Sequence, residues 1–150
     1  MEIEKKYLCK LPDFDLSAYK RKEIAQYYIS TDPTIRIRKA DSDFFLTVKG
    51  KGHIARDEFE MPISESQFES LVKKTDMPPV SKTRYFIPLD NGLTAELDIY
   101  HSSLHGLVTV EVEFESLEDA DSFVPPLWFG KDVSEDKRYK NASLYTKGMP

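Results

Sequence analysis

The sequence predicts a mainly β domain: an eight-stranded, closed antiparallel β-barrel with a charged interior and a few covering helices. Three observations predict it. Short runs of alternating apolar and charged residues recur as far as about residue 115, separated by brief turn signals. The charges come as i, i+2 pairs of one sign, and on an extended chain such pairs share a face. Eight strands joined by short connections can close a sheet and remove its edges. The 150 residues fit one domain, 1–150.

The elements follow in order. Met1 to Tyr7 is the first strand, broken by Leu11-Pro12-Asp13, after which Asp15 to Tyr19 can form a helical turn. Lys22 to Ser30 is the second strand, and Thr31-Asp32-Pro33 turns the chain. Ile35 to Lys39 and Phe44 to Lys49 are strands three and four, joined by Asp41-Ser42-Asp43. Gly50-Lys51-Gly52 is a flexible connection to strand five, Ala55 to Met61. Ser64 then opens the one long helix, which runs to about Lys74. Ser64 at the N-cap with Gln67 three residues on is a capping-box pattern, and Phe68, Leu71 and Val72 share a helical face. Strand six is Ser81 to Pro88. Asp90-Asn91-Gly92 makes a hairpin to strand seven, Leu93 to Tyr100, and strand eight is Leu107 to Glu115. Beyond Leu117 the chain suggests a short helix at Glu118 to Phe123, a break at Pro125-Pro126 and another helix at Asn141 to Lys147.

The charged faces carry the functional argument. They are Glu2, Glu4 and Lys6 on strand one, Arg36 and Arg38 on three, and Lys49 on four. Glu58 and Glu60 follow on five, Lys82 and Arg84 on six, Glu96 and Asp98 on seven, and Glu111 and Glu113 on eight. The opposite faces are apolar, as in Ile35 and Ile37 or Val110, Val112 and Phe114. A charged sheet face ordinarily meets water. Here like charges sit side by side, which is destabilising on a plain solvated face. Neutral polar residues are scarce there, and acidic and basic pairs are segregated by strand. An acidic wall facing a basic wall suits a polyanion bridged to protein by a divalent cation. Arg and Lys hold phosphate oxygens, and carboxylates hold Mg²⁺ or Mn²⁺. The charged face is therefore expected inside, with helices covering the apolar outside.

These residues resemble the CYTH superfamily, the triphosphate tunnel metalloenzymes. The resemblance rests on the N-terminal Glu-x-Glu-x-Lys at Glu2, Glu4 and Lys6, on Tyr28, and on the ordered pairs at 36/38, 58/60, 82/84, 96/98 and 111/113. Lys49 and the stretch Asp136 to Asn141 extend it across nearly the whole chain. It implies a metal-dependent hydrolysis of a triphosphate, inorganic tripolyphosphate first. Nucleoside or thiamine triphosphate hydrolysis, or cyclisation of ATP, are the other activities it implies. A polyphosphate- or nucleotide-binding protein without turnover is a further alternative.

Roles can be assigned on that basis. Lys6, Arg36, Arg38, Lys49, Lys82 and Arg84 are expected to hold phosphates, Arg38 and Lys82 also serving the chemistry. Glu2, Glu4, Glu111 and Glu113 are expected to ligate metal, strands one and eight being neighbours on closure. Asp98 joins them as a fifth ligand or an outer partner. Glu58 or Glu60 orients or deprotonates the attacking water, or binds a second metal. Tyr28 either donates to phosphate or packs as an aromatic. Arg138 either closes the tunnel mouth or makes a surface ion pair. Trp128, Phe129 and Tyr139 are the aromatic candidates for a nucleotide base.

Other classes are disfavoured. A net charge of −5 argues against nucleic acid as partner. No apolar run suggests a leader or a membrane span, and a lone Cys9 forms no disulfide within the chain, so a cytoplasmic protein is expected. His101-x-x-x-His105 has zinc-site spacing but lies in a Ser/Gly turn, and Gly50-Lys51-Gly52 lacks the Walker A spacing.

Overall fold

The computed structural model describes all residues, Met1–Pro150. Ten strands form one antiparallel sheet: β1 (Glu2–Cys9), β2 (Lys20–Thr31), β3 (Thr34–Ala40), β4 (Asp43–Lys49), β5 (Ala55–Arg56), β6 (Glu58–Pro62), β7 (Val80–Pro88), β8 (Thr94–Tyr100), β9 (Val108–Glu113) and β10 (Phe129–Asp132). The order is β10-β1-β9-β8-β7-β2-β3-β4-β6, with β5 pairing β1. Only Asp57 separates β5 from β6, so the two act as one bent strand. Its first part pairs β1 through Glu2↔Arg56 and Ile3↔Ala55, and its second pairs β4. That seam closes the sheet into a barrel of eight strands, those expected from the pattern. Closure leaves few unpaired backbone groups, which is why short strands suffice.

The register sets the inner face. Glu4 lies opposite Glu113 and Lys6 opposite Glu111. Glu96 lies opposite Glu111, and Arg84 opposite Asp98. Arg36 faces Thr47, and Lys49 faces Glu58. Because side chains alternate, this one register turns every charged pair inward and every aliphatic pair outward.

The apolar core therefore lies outside the barrel wall. Ala95, Leu97, Val110 and Val112 are fully buried there with Ile3, Tyr7, Ile87, Phe114 and Phe129. Each such aliphatic side chain stabilises the fold by about 1.5–3 kcal/mol. The cover on this side is helix α2 (Leu117–Ser122), capped by Ser116, together with β10 and the two separate segments carrying Phe14 and Trp128. β10 is an extra strand without a charged alternation to announce it. It pairs Tyr7 with Asp132 and Cys9 with Phe129 across a β1 irregularity. Gly130 passes so close to the Leu8 carbonyl that a Cβ would collide with it.

Helix α1 (Glu65–Val72) shows the expected capping box. Ser64 Oγ accepts from Gln67 N–H (3.1 Å), and Gln67 Oε1 accepts from Ser64 N–H (2.8 Å). Its buried Phe68 packs on Tyr27 and Phe44, covering β3 and β4. The cover stops short of β6, where Phe59 is 60% exposed and Met61 41%. The expectation of a fully covered outside fails at that strand.

Helix α3 (Asn141–Lys147) departs further from expectation. It packs across part of one end of the barrel instead of covering the outside, and its Ala142, Ser143, Thr146 and Lys147 line the opening that remains beside it. Leu144 and Tyr145 pack with Tyr28, Val80, Tyr100, Leu104 and Leu107, a second core cluster at the tunnel's end. Tyr28 and Tyr100 lie on the inward face, so the plug rests on interior side chains.

Candidate functional site

The barrel encloses a cavity of about 960 Å³ lined almost wholly by polar and charged groups. Glu2, Glu4 and Lys6 come from β1, Tyr28 from β2, Arg36 and Arg38 from β3, and Lys49 from β4. Glu58 and Glu60 come from β6, Arg84 from β7, Glu96 from β8, and Glu111 and Glu113 from β9. The volume lies near the top of the roughly 300–1,000 Å³ usual for small-molecule sites.

On the acidic side, like charges press together. Burial, then the Glu111 and Glu2 carboxylates, push the Glu4 carboxyl up to about 8. Burial also raises Glu113, with Glu2, Glu96 and Glu58 adding to it. Burial would raise Glu111 too, but Lys6 (3.7 Å) and Arg84 (3.9 Å) outweigh it and hold it well below the usual range. Glu4 thus shares a proton with an ionised Glu111. No three of these carboxylates converge on one preformed cation position. Even so, the donor set is oxygen-only, anionic and short of cations, which is the chemistry of a hard divalent ion. Glu2 is partly engaged, accepting from Lys49 Nζ at 2.8 Å with Arg56 Nε 3.8 Å away.

On the basic side, donors outnumber acceptors. Arg38 is held only by Gln26 Oε1 (2.9 Å), and no carboxylate pairs with it. Burial, then Arg36 and Arg84, lower the Arg38 guanidinium to about 10. Arg36 donates from Nη2 to Thr47 Oγ1 (3.1 Å) and lies 3.5 Å from Glu60, but its buried Nε has no partner. A buried donor left unmade costs about 1–3 kcal/mol, more when charged. Two crowded guanidiniums thus keep donors to spare: Arg38 has no carboxylate partner and Arg36 has a free Nε.

At the plugged end everything is paired. Asp98 accepts from Arg84 Nε (2.7 Å) and Nη2 (2.9 Å) and lies 2.7 Å from Lys82 Nζ. Lys82 also reaches Asn141 Oδ1 (3.4 Å), which accepts from the Tyr100 hydroxyl (3.0 Å). Burial alone would raise Asp98, but Arg84 and Lys82 bring it below its ordinary value. Burial takes Lys82 down to about 7 against the pull of Asp98.

Three expected positions are thereby corrected. Asp98 is fully buried in a bidentate clamp and is not free to ligate a tunnel cation. Lys82 is equally buried and lies behind the cavity wall, outside the phosphate-facing ring. Arg138 is 64% exposed, pairs with Asp136 (2.7 Å) and lines no part of the tunnel. Tyr28 packs its ring on Tyr145, the aromatic reading, and also lines the cavity. Trp128 and Phe129 belong to the outer core, and only Tyr139 of that trio reaches the cavity.

Several residues of the site escape the strand pattern. Gln26 holds Arg38 and donates to the Tyr28 hydroxyl (3.0 Å); its place two residues before Tyr28 was the available signal. Thr47 bridges Arg36 to Glu60. Arg56 continues the Glu58/Glu60 face by one step of the same period, whereas Tyr139 and Lys140 come from a segment whose sequence carries no periodicity. The last two latch the C-terminal segment down: Lys6 Nζ donates to the Tyr139 carbonyl and Lys140 Nζ to the Gly52 carbonyl, both at 2.6 Å.

Known proteins resemble this chain along its whole length. An inorganic triphosphatase of Nitrosomonas europaea is 43% identical over 148 residues, covering 95% of each chain. One from Acetivibrio thermocellus is 35% identical over 149 residues, covering 95% of this chain and 92% of the relative. The crystal structure of the inorganic triphosphatase NE1496 superposes with a TM-score of 0.69 at 39% identity, covering 97% of this chain and 94% of that one. No family model matches the chain.

Proposed function

The chain belongs to the inorganic triphosphatases of the triphosphate tunnel metalloenzyme superfamily, and from that premise we propose that it cleaves inorganic tripolyphosphate to pyrophosphate and phosphate. The observation that carries this is the unpartnered Nε of buried Arg36 beside half-buried Arg38, which no carboxylate pairs, facing Glu4 and Glu113, which no lysine or arginine pairs. Each wall holds what the other component of a metal–triphosphate complex would satisfy.

Lys6, Arg36, Arg38 and Lys49 hold the phosphate chain, Arg36 and Arg38 by two-pronged contacts, and Arg84, whose fork is taken by Asp98, adds positive charge to the wall. Glu2, Glu4, Glu111 and Glu113 would hold the divalent cation, Mg²⁺ or Mn²⁺ by their all-oxygen character. When bound, that ion supplies Lewis-acid polarisation of the phosphate oxygens. Glu58, raised chiefly by burial, lines the open side and orients water. Arg38 stabilises charge on the transferring phosphoryl group.

The tunnel's aromatic lining is only Tyr28 and Tyr139, which favours a bare phosphate chain over a nucleotide. The test is ³¹P NMR of the products from tripolyphosphate and from ATP, each with Mg²⁺ or Mn²⁺. Pyrophosphate and phosphate should appear from tripolyphosphate at the higher rate. Equal or faster cleavage of ATP, or cyclic AMP, would overturn the substrate assignment. The lone free Cys9 and the polyanionic substrate suit a reducing cytoplasm, where we place the protein. No helix is long and apolar enough to cross a membrane.

A further inference from the structure

The tunnel has two mouths of opposite charge, and we propose that the anionic substrate is admitted only through the basic one. This rests on the triphosphatase reading above. The basic mouth lies beside α3, at the end which that helix partly covers, where the β2–β3 turn, the β4–β5 loop and the C-terminal segment meet. Lys51, Arg56, Lys137, Lys140 and Lys147 line the cavity there, against the single carboxylate of Asp32. None of Lys51, Lys137 and Lys147 is in an ion pair. Cationic crowding is felt at Lys140, which burial, then Arg56 and Lys137, lower below its ordinary value.

The other mouth lies at the opposite end of the barrel, where β7 turns into β8 and β9 runs towards α2. It adjoins the tunnel through Glu96 and Glu113, which line both spaces. Asp90, Glu115 and Asp119 frame it with Phe86, Leu93 and Phe114, and neither Lys nor Arg lines it. A polyanion meets repulsion and apolar surface at that end.

Net charge makes the difference matter. The chain carries −5, so its distant field repels a highly charged anion. Attraction must be local, within about one Debye length of the unpaired lysines, roughly 8–10 Å in ordinary salt. A cluster of one sign above a low-dielectric cleft raises association rates by about 10–10³-fold, and salt removes the effect. The mouth is also held in shape. The bonds from Lys140 to Gly52 and from Lys6 to Tyr139 tie the C-terminal segment to the loop and to β1. The side chains of Lys51 and Lys147 are bound by neither latch, and they form the approach.

The test reverses charge at each mouth separately. In Lys51→Glu/Lys147→Glu, kcat/KM for tripolyphosphate should fall about ten-fold at low ionic strength while kcat holds, and the deficit should shrink towards unity at high salt. Glu115→Lys/Asp119→Lys should leave kcat/KM within about two-fold. An unchanged kcat/KM in the first variant, a deficit that survives high salt, or a larger effect from the second variant would each overturn the proposal. Calorimetric affinity for tripolyphosphate, measured without divalent cation at the same two salt levels, should follow the same ranking whether or not turnover occurs. Wild-type protein that binds in this ranking but does not turn over would count against the triphosphatase reading alone.

Discussion

The inner face of the barrel divides into two regions built from the same residue types. At the plugged end, Asp98, Arg84, Lys82, Tyr100 and Asn141 satisfy one another completely. On other strands of the same barrel, Arg36, Arg38, Glu4 and Glu113 are left with unmet donors or crowded like charges. One region spends its charges on holding the wall together. The other keeps them for something that is not protein. Charged residues on an interior face therefore do not by themselves mark a binding site; incomplete satisfaction does.

The comparison can be broken by exchanging the behaviours. The largest stability effect is expected at the satisfied end. Asp98→Asn removes the charge that pairs Arg84 and Lys82, and a broken buried pair costs about 3–5 kcal/mol, read from urea melts. An unchanged midpoint would remove the distinction between the regions. At the unsatisfied end the same measurement should barely move while activity collapses. Arg38→Ala should lower kcat for tripolyphosphate by about 10²–10³-fold with the melting midpoint close to wild type.

A smaller effect is expected at Glu58, which lines the cavity. Glu58→Gln should lower kcat for tripolyphosphate by roughly ten-fold with the melting midpoint close to wild type. An unchanged kcat would take the water-orienting role from Glu58. The smallest effect is at Arg138, whose exposed pair with Asp136 belongs to neither region. Arg138→Ala should change neither the melting temperature nor the rate; a loss of activity would return it to the tunnel mouth.

The barrel was legible because alternation has a period of two and closure needs only strand count. The pairs 2/4, 36/38, 58/60 and 111/113 fell on the cavity because register carries a whole strand face inward together. That regularity also misled. Lys82 and Asp98 share strand faces with Arg84 and Glu96, so the pattern grouped them with the tunnel lining. What separates them is the C-terminal plug, whose Asn141 and Tyr145 arrive from a distant part of the chain. Long-range docking of this kind leaves no local signal at residues 82 or 98. Arg138 was drawn in by its neighbourhood, although Asp136 sits close enough to hold it in a local turn. β10 went unseen because its Phe-Gly-Lys-Asp lacks alternation and follows two prolines.

The most direct test of the account is Glu4→Gln, measured for tripolyphosphate turnover and thermal stability on the same preparation. The Glu4 carboxyl is raised to about 8 by burial and by the Glu111 and Glu2 carboxylates. Such a group stabilises the metal-free fold below its unfolded pKa and loses that contribution as pH rises through about 8. The account predicts that the amide abolishes metal-dependent turnover by about 10²-fold or more, with a melting temperature at pH 8 equal to or above wild type. Turnover that survives the change, or a melting temperature that falls as far as that of Asp98→Asn, would contradict it.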